Sequence, residues 1–283
     1  MLSEWKVKRE ICEIGRRVYA RQFAAGNDGN ISCRISDNIV VCTPTQICKG
    51  FMNADDLCTI DMEGKQLSGM RKPTSETQLH LEIYRGDPKV RAVVHCHPPH
   101  ATAFGMAGED IPTCILPEVE VFLGVVPRAG YETPGGQSFA EGVRPFVGRA
   151  NTVVLSNHGT VSWGPTLERA YWHTEILDAY CRMLLLAKQV GGIHRLPEPK
   201  VDELLDLKER FGAGVDSRRK EGGDLCVNTQ FARAAAPCRE RCGVNTAPAT
   251  TDGSNGTSGG AGHEELVRLI AERVMAALAQ GAG

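Results

Sequence analysis

Between Arg91 and Phe104 the chain reads RAVVHCHPPHATAF, a stretch that leaves few choices of fold. Ala92-Val93-Val94 is a run of apolar β-formers and predicts a buried strand ending on histidines. Side chains alternate along a strand, so His95 and His97 share a face on which both imidazoles can reach one ion. His100 is a further candidate, on the helix that Pro98-Pro99 opens. Taken alone, the His-x-His pair reads equally well as polar residues at a strand end. A second apolar run, Thr152-Val153-Val154-Leu155, also leads to a histidine, His158, followed by a glycine that permits close approach. Three imidazoles from two strand ends make a zinc-type site with a position open for substrate.

Upstream, RKPTSETQLHLEIY puts Glu76 just inside a predicted helix N-terminus, near such a site but not ligating the ion. A three-histidine ion beside a free carboxylate suits removal of a proton alpha to a carbonyl. The helix dipole alone also favours a first-turn carboxylate, and Thr74 or Ser75 can serve as the N-cap. His80 and Glu82 read as exposed helix residues.

Around this centre the pattern is that of an α/β domain. Val7, Ile11, Ile14 and Val18 recur at helical spacing before Gly26. Residues 31–34 and 39–43 read as a strand pair turning at Ser36-Asp37-Asn38, and residues 57–62 as another strand. Glu118 and Glu120 alternate on a possible strand as interface or supporting groups. A long helix starts at Pro165 and stops at Gly191-Gly192, with His173 as a packing residue, and an acidic helix covers residues 201–211.

The formal charge of −2 gives no general attraction to nucleic acid or an anionic membrane. Eleven scattered cysteines without a signal peptide predict free thiols in a reducing, cytoplasmic compartment, and no apolar run is long enough to span a bilayer. Residues 1–211 therefore read as the catalytic domain and 212–262, rich in Gly, Ala, Thr, Ser and Pro, as a flexible linker. Within that linker Cys226, Cys238 and Cys242 lack a fourth ligand at metal-binding spacing. Residues 263–283 follow as an amphipathic helix carrying Leu266, Ile270, Val274 and Leu278. Such a helix on a tether cannot bury its apolar face by itself, so it must dock on a partner.

GNDGNIS, CTPTQ, KPTSE, VVHCHPPHATA and NHGTVSWG occur in that order, and from Trp5 to Gly192 the chain resembles the class II aldolase/adducin family, most closely its L-fuculose-1-phosphate aldolase branch. The resemblance implies a three-layer α/β/α fold with a central mixed, largely antiparallel sheet, in ring-shaped homotetramers with active sites at subunit interfaces. It implies Zn2+ on His95, His97 and His158, with Glu76 moving the proton. Asn30, Thr45, Thr74 and Ser75 would cradle the substrate phosphate, with Gln46 where the family usually has glycine. The family's proton-donating tyrosine falls on Leu116 here; the resemblance then implies Tyr131, which matches a different family tyrosine, or a group from another subunit as the acid, while Tyr131 reads equally well as a buried packing residue. The implied reaction is reversible cleavage of a ketose 1-phosphate, of L-fuculose or L-rhamnulose type, to dihydroxyacetone phosphate and lactaldehyde. The same scaffold serves 4-epimerases, dehydratases, decarboxylases and non-catalytic adducin heads. The tail resembles encapsulation peptides, which implies shell proteins of a bacterial microcompartment as partners of residues 263–283.

Overall fold

The computed structural model describes residues 3–212, 216–222, 224–228 and 231, organised by one eight-stranded sheet. Its strands are β1 (Asn30–Ser36), β2 (Ile39–Cys42), β3 (Cys58–Asp61), β4 (Gln66–Ser68), β5 (Ala92–Cys96), β6 (Arg128–Ala129), β7 (Thr152–Leu155) and β8 (Gly159–Gly164). They lie in the order β4-β3-β2-β1-β5-β8-β7-β6, and every neighbouring pair is antiparallel except β6 with β7. The helices are α1 (Glu4–Ala20), α2 (Thr77–Gly86), α3 (Pro99–Ala107), α4 (Pro117–Phe122), α5 (Gln137–Glu141), α6 (Leu167–Val190), α7 (Glu198–Arg210) and α8 (Ser217–Glu221).

Alternation along the strands feeds two cores. Ile31, Cys33, Val41 and Val94 pack with Val7, Ile11, Ile14 and Val18 of α1 and with Leu167 and Tyr171 of α6. On the other face Val40, Cys42, Ile60, Val93 and Val161 meet Leu79 and Ile83 of α2 and Phe139 of α5. Each fully buried Leu or Ile here contributes about 1.5–3 kcal/mol, so both faces are firmly held. The layered, largely antiparallel architecture expected from the sequence is the one observed. Because β5 is central, its C-terminal end opens between β1 and β8, and there the histidines emerge.

Several local expectations need correction. Glu120 is on helix α4, not on a strand, and is fully buried. The Glu-Val-Glu-Val alternation of residues 118–121 mimics period two, but Pro117 at the first helical position sets a single short turn. His80 and Glu82 are buried, because α2 is packed against the sheet on one side and near Arg144 on another. The N-cap of α2 is Glu76 itself, not Thr74 or Ser75. Past residue 211 the stretch read as linker contains α8, whose Arg218 is buried against Glu120. Cys114 and Cys226 form a disulfide across a separation of 112 residues, where free thiols were expected. No spacing rule could have paired them. Cys238, Cys242, most of the linker and the tail helix at 263–283 lie outside the described residues. Among the described residues no helix is long and apolar enough to cross a membrane.

Candidate metal centre and active site

His95, next to last in β5, lies opposite Asn30 of β1 and Val161 of β8. Its Nδ1 lies 2.8 Å from the carbonyl oxygen of Thr160, which can only accept, so the proton is on Nδ1 and Nε2 keeps its lone pair. That lone pair is 3.2 Å from Glu76 Oε2, and two acceptors facing each other in a buried site suit a positive charge close by. His97 follows at the strand end, its Nδ1 3.3 Å from Asp28 Oδ2. His158 comes from the tight β7–β8 turn, where Asn157 takes φ of +55° and the His158 N–H donates to Leu155 O. Gly159 has to be glycine: a Cβ there would stand 2.5 Å from the His97 ring and 2.6 Å from Cys96 O.

One nitrogen from each of His95, His97 and His158 lies within 4.8 Å of the others. His95 Nε2, His97 Nε2 and His158 Nδ1 are buried without a hydrogen-bond partner among the described residues. Burial pushes the His95 and His158 imidazoles below their ordinary range and keeps them neutral, the form in which imidazole ligates a metal. The donor set is thus one that a divalent cation fits, and Glu76 stands beside it, its Oε1 3.7 Å from His158 Nε2.

Behind Glu76 runs a chain of hydrogen bonds with one direction. Asn30 Nδ2 donates to Glu76 Oε2 at 3.2 Å, so Asn30 Oδ1 is the acceptor for His80 Nε2 at 2.6 Å. His80 Nδ1 must then accept from Ser32 Oγ at 2.6 Å, and Ser32 in turn accepts from Tyr84 Oη at 2.7 Å. Every donor points toward the carboxylate. Complete burial pushes His80 down to about 3, so it stays neutral and holds this tautomer. The expected phosphate contact Asn30 therefore has its side chain committed to Glu76 and His80.

Thr45, Gln46, Thr74 and Ser75 line the same cavity of about 180 Å³ as Glu76 and the three histidines. Gln46 has φ of +55°, the left-handed region glycine enters freely, so the loop keeps a glycine-like backbone with an amide added. Thr74 Oγ1 accepts from the Glu76 N–H at 3.3 Å, which orients the start of α2. Tyr131 is 58 % exposed and outside the cavity wall, and Leu116 packs in the α3–α4–α6 core. His100 is paired with Asp178 at 2.9 Å, away from the other three, and Asp178 also caps α3. His173 packs as expected, its Nδ1 donating to Trp163 O at 3.0 Å. Sequence reasoning missed Lys49, which is buried and lines the cavity, as well as His80.

Fold and site together define an α/β protein built around a buried three-histidine cluster with an adjacent carboxylate. Residues 9–185 match the family described as Class II Aldolase and Adducin N-terminal domain, and the chain belongs to that family. It is 38 % identical over 175 residues to an L-fuculose phosphate aldolase of Methanococcus vannielii, covering 62 % of this chain and 93 % of that protein. It is 31 % identical over 188 residues to a 3-oxo-tetronate 4-phosphate decarboxylase of Pectobacterium atrosepticum, covering 65 % and 86 % respectively. Among solved structures an L-fuculose 1-phosphate aldolase superposes with a TM-score of 0.67 at 25 % identity, covering 75 % of this chain and 98 % of that one.

Proposed function

We propose that the protein is a metal-dependent lyase that breaks the bond between the carbons α and β to the carbonyl of a phosphorylated hydroxy-ketone, cleaving an L-fuculose 1-phosphate or L-rhamnulose 1-phosphate type of substrate to dihydroxyacetone phosphate and lactaldehyde. The observation that carries this reading is the unprotonated His95 Nε2 facing Glu76 Oε2 at 3.2 Å, with two further imidazoles alongside. Zn2+ held by His95, His97 and His158 would supply Lewis-acid polarisation of the carbonyl and its neighbouring hydroxyl. Glu76, aimed by Asn30 and His80, takes and returns the proton at the carbon beside that carbonyl. Thr45, Gln46, Thr74 and Ser75 offer hydroxyl and amide donors to the phosphate. Tyr131, exposed on one protomer, acts as the acid for the aldehyde oxygen if a homotetramer brings it to a neighbouring site.

Release of dihydroxyacetone phosphate from L-fuculose 1-phosphate or L-rhamnulose 1-phosphate, abolished by chelator, tests this directly. No release from metal-loaded protein overturns it. Among the described residues no tyrosine lines the cavity, which favours a second reading, loss of carbon dioxide from a phosphorylated 3-keto acid, which needs no acid for an aldehyde. Both reactions leave an electron pair on the carbon beside the ketone, so both use the same cation and carboxylate. Residues 263–283 are proposed to dock on shell proteins of a microcompartment. Their deletion should leave turnover intact and abolish co-localisation with the shell.

A further inference from the structure

Lys49 opens the short turn after the Thr-Pro-Thr-Gln loop and is 1 % exposed. Its Nζ donates to Asn27 O at 2.8 Å and to Ile47 O at 2.6 Å, which ties together the two loops that carry Asp28 and Gln46. An ammonium has three N–H donors, and two neutral carbonyls leave one donor and the whole charge uncompensated. No carboxylate among the described residues forms an ion pair with it; Asp28 and Glu76 act on it only at longer range. A buried charge without a counter-charge costs several kcal/mol, and sequences rarely keep one without a use. Elsewhere in this protein the buried Lys208 is treated differently, with Asp216 at 2.8 Å.

The surroundings say what would complete it. Lys49 lines the cavity that also holds Thr45, Gln46, Thr74 and Ser75, whose hydroxyls and amides are neutral donors. Glu76 is already engaged by Asn30 and faces His95 and His158, so it is not the missing partner. Neutral donors with one fixed cation match a dianion that has three acceptor oxygens. Burial pulls the ammonium down to about 8, so an arriving dianion would also hold its proton in place.

We propose that Lys49 is the charged anchor of the substrate's phosphate group, its free N–H donating to a phosphate oxygen while its other two hold the walls of the cradle. This deepens the reading given above, because it takes the substrate to be a phosphate monoester. It assigns the charge recognition to a side chain in the turn after the cradle loop, where the sequence reading had only neutral donors.

The test is calorimetric binding of dihydroxyacetone phosphate, inorganic phosphate and unphosphorylated dihydroxyacetone to the metal-loaded full chain and to Lys49→Gln, which keeps N–H donors and loses the charge. Lys49→Met serves as a second variant if the first does not fold. The expected result is a loss of about 10- to 100-fold in affinity for the two phosphates, the range for a charge-assisted hydrogen bond, with dihydroxyacetone binding and metal content unchanged. Equal weakening of dihydroxyacetone would mean that Lys49 only braces the loops, and overturns the proposal. Unchanged phosphate affinity, or no phosphate binding by the unaltered protein, also overturns it. If the phosphate loss appears but neither ketose 1-phosphate is cleaved, Lys49 stands as the anchor and the aldolase reading falls. If cleavage occurs and Lys49→Gln leaves KM unchanged, the aldolase reading stands and Lys49 falls.

Discussion

Two clusters of buried polar groups in this protein are built on opposite plans. Where α4, α7 and α8 meet, Glu120 accepts from Arg218 and from the Cys114 N–H, Arg218 donates to Asp216, and Lys208 donates to Asp216. Burial alone would raise the Asp216 carboxyl, but hydrogen bonds from Arg218 and Lys208 outweigh it and hold it below the usual carboxylate range. Each charge there has its counter-charge. At the end of β5 one nitrogen on each of His95, His97 and His158 lacks a hydrogen-bond partner among the described residues, and Lys49 has only carbonyls there. A satisfied cluster fixes structure, whereas an unsatisfied one keeps bonds in reserve for something that arrives.

The contrast breaks first at the metal ligands. His95→Ala should remove bound metal and lower kcat/KM by about a thousandfold or more, since Lewis-acid stabilisation is worth several kcal/mol. Metal analysis beside the kinetics checks it, and full activity would remove His95 from the site. In the satisfied cluster, Arg218→Ala should cost about 3–5 kcal/mol of stability by stranding the buried Glu120, while activity per folded molecule stays unchanged. Denaturant melts and specific activity measure the two separately.

Smaller effects sharpen the same contrast. His80→Phe interrupts the hydrogen-bond chain behind Glu76 and should lower kcat about 10- to 100-fold while metal content is retained. A kcat equal to that of the unaltered protein would mean that Glu76 needs no such support. The same contrast also shows in stability against pH. Burial depresses His80 to about 3 and His173 to about 4, so below the ordinary histidine value near 6.5 the unfolded chain binds protons that the folded chain does not. Their contribution is complete above pH 6.5 and is lost as pH falls toward 4 and then 3. Replacing His173 by Gln should flatten the fall between pH 6.5 and 4, measured as thermal melts of the metal-free protein.

How legible each cluster was follows from the range of its interactions. The histidine centre could be read because local rules place it: a strand end with period two, a second strand end before Gly159, and a helix start at Glu76. The layered sheet was legible from the same apolar runs. His80 was misread because its burial depends on Asn30 and Ser32 of β1, some fifty positions away, and nothing in α2 itself announces them. Lys49 was passed over because a lysine in a loop is ordinarily solvated. The paired cluster was least visible: Glu120 with Arg218, and Cys114 with Cys226, join segments about a hundred residues apart. Helix α4 is also too short for its period to show.

The most direct test of the central claim, a base held beside a three-histidine cation, is proton exchange without any aldehyde. Metal-loaded protein is mixed with dihydroxyacetone phosphate in heavy water, and loss of the hydroxymethyl proton signal is followed by NMR for the unaltered chain and for Glu76→Gln. The expected result is exchange that chelator stops and that Glu76→Gln slows by about 100-fold or more with its metal still bound, the scale of a lost general base. Exchange at the same rate in Glu76→Gln, or exchange indifferent to chelator, would contradict the assignment.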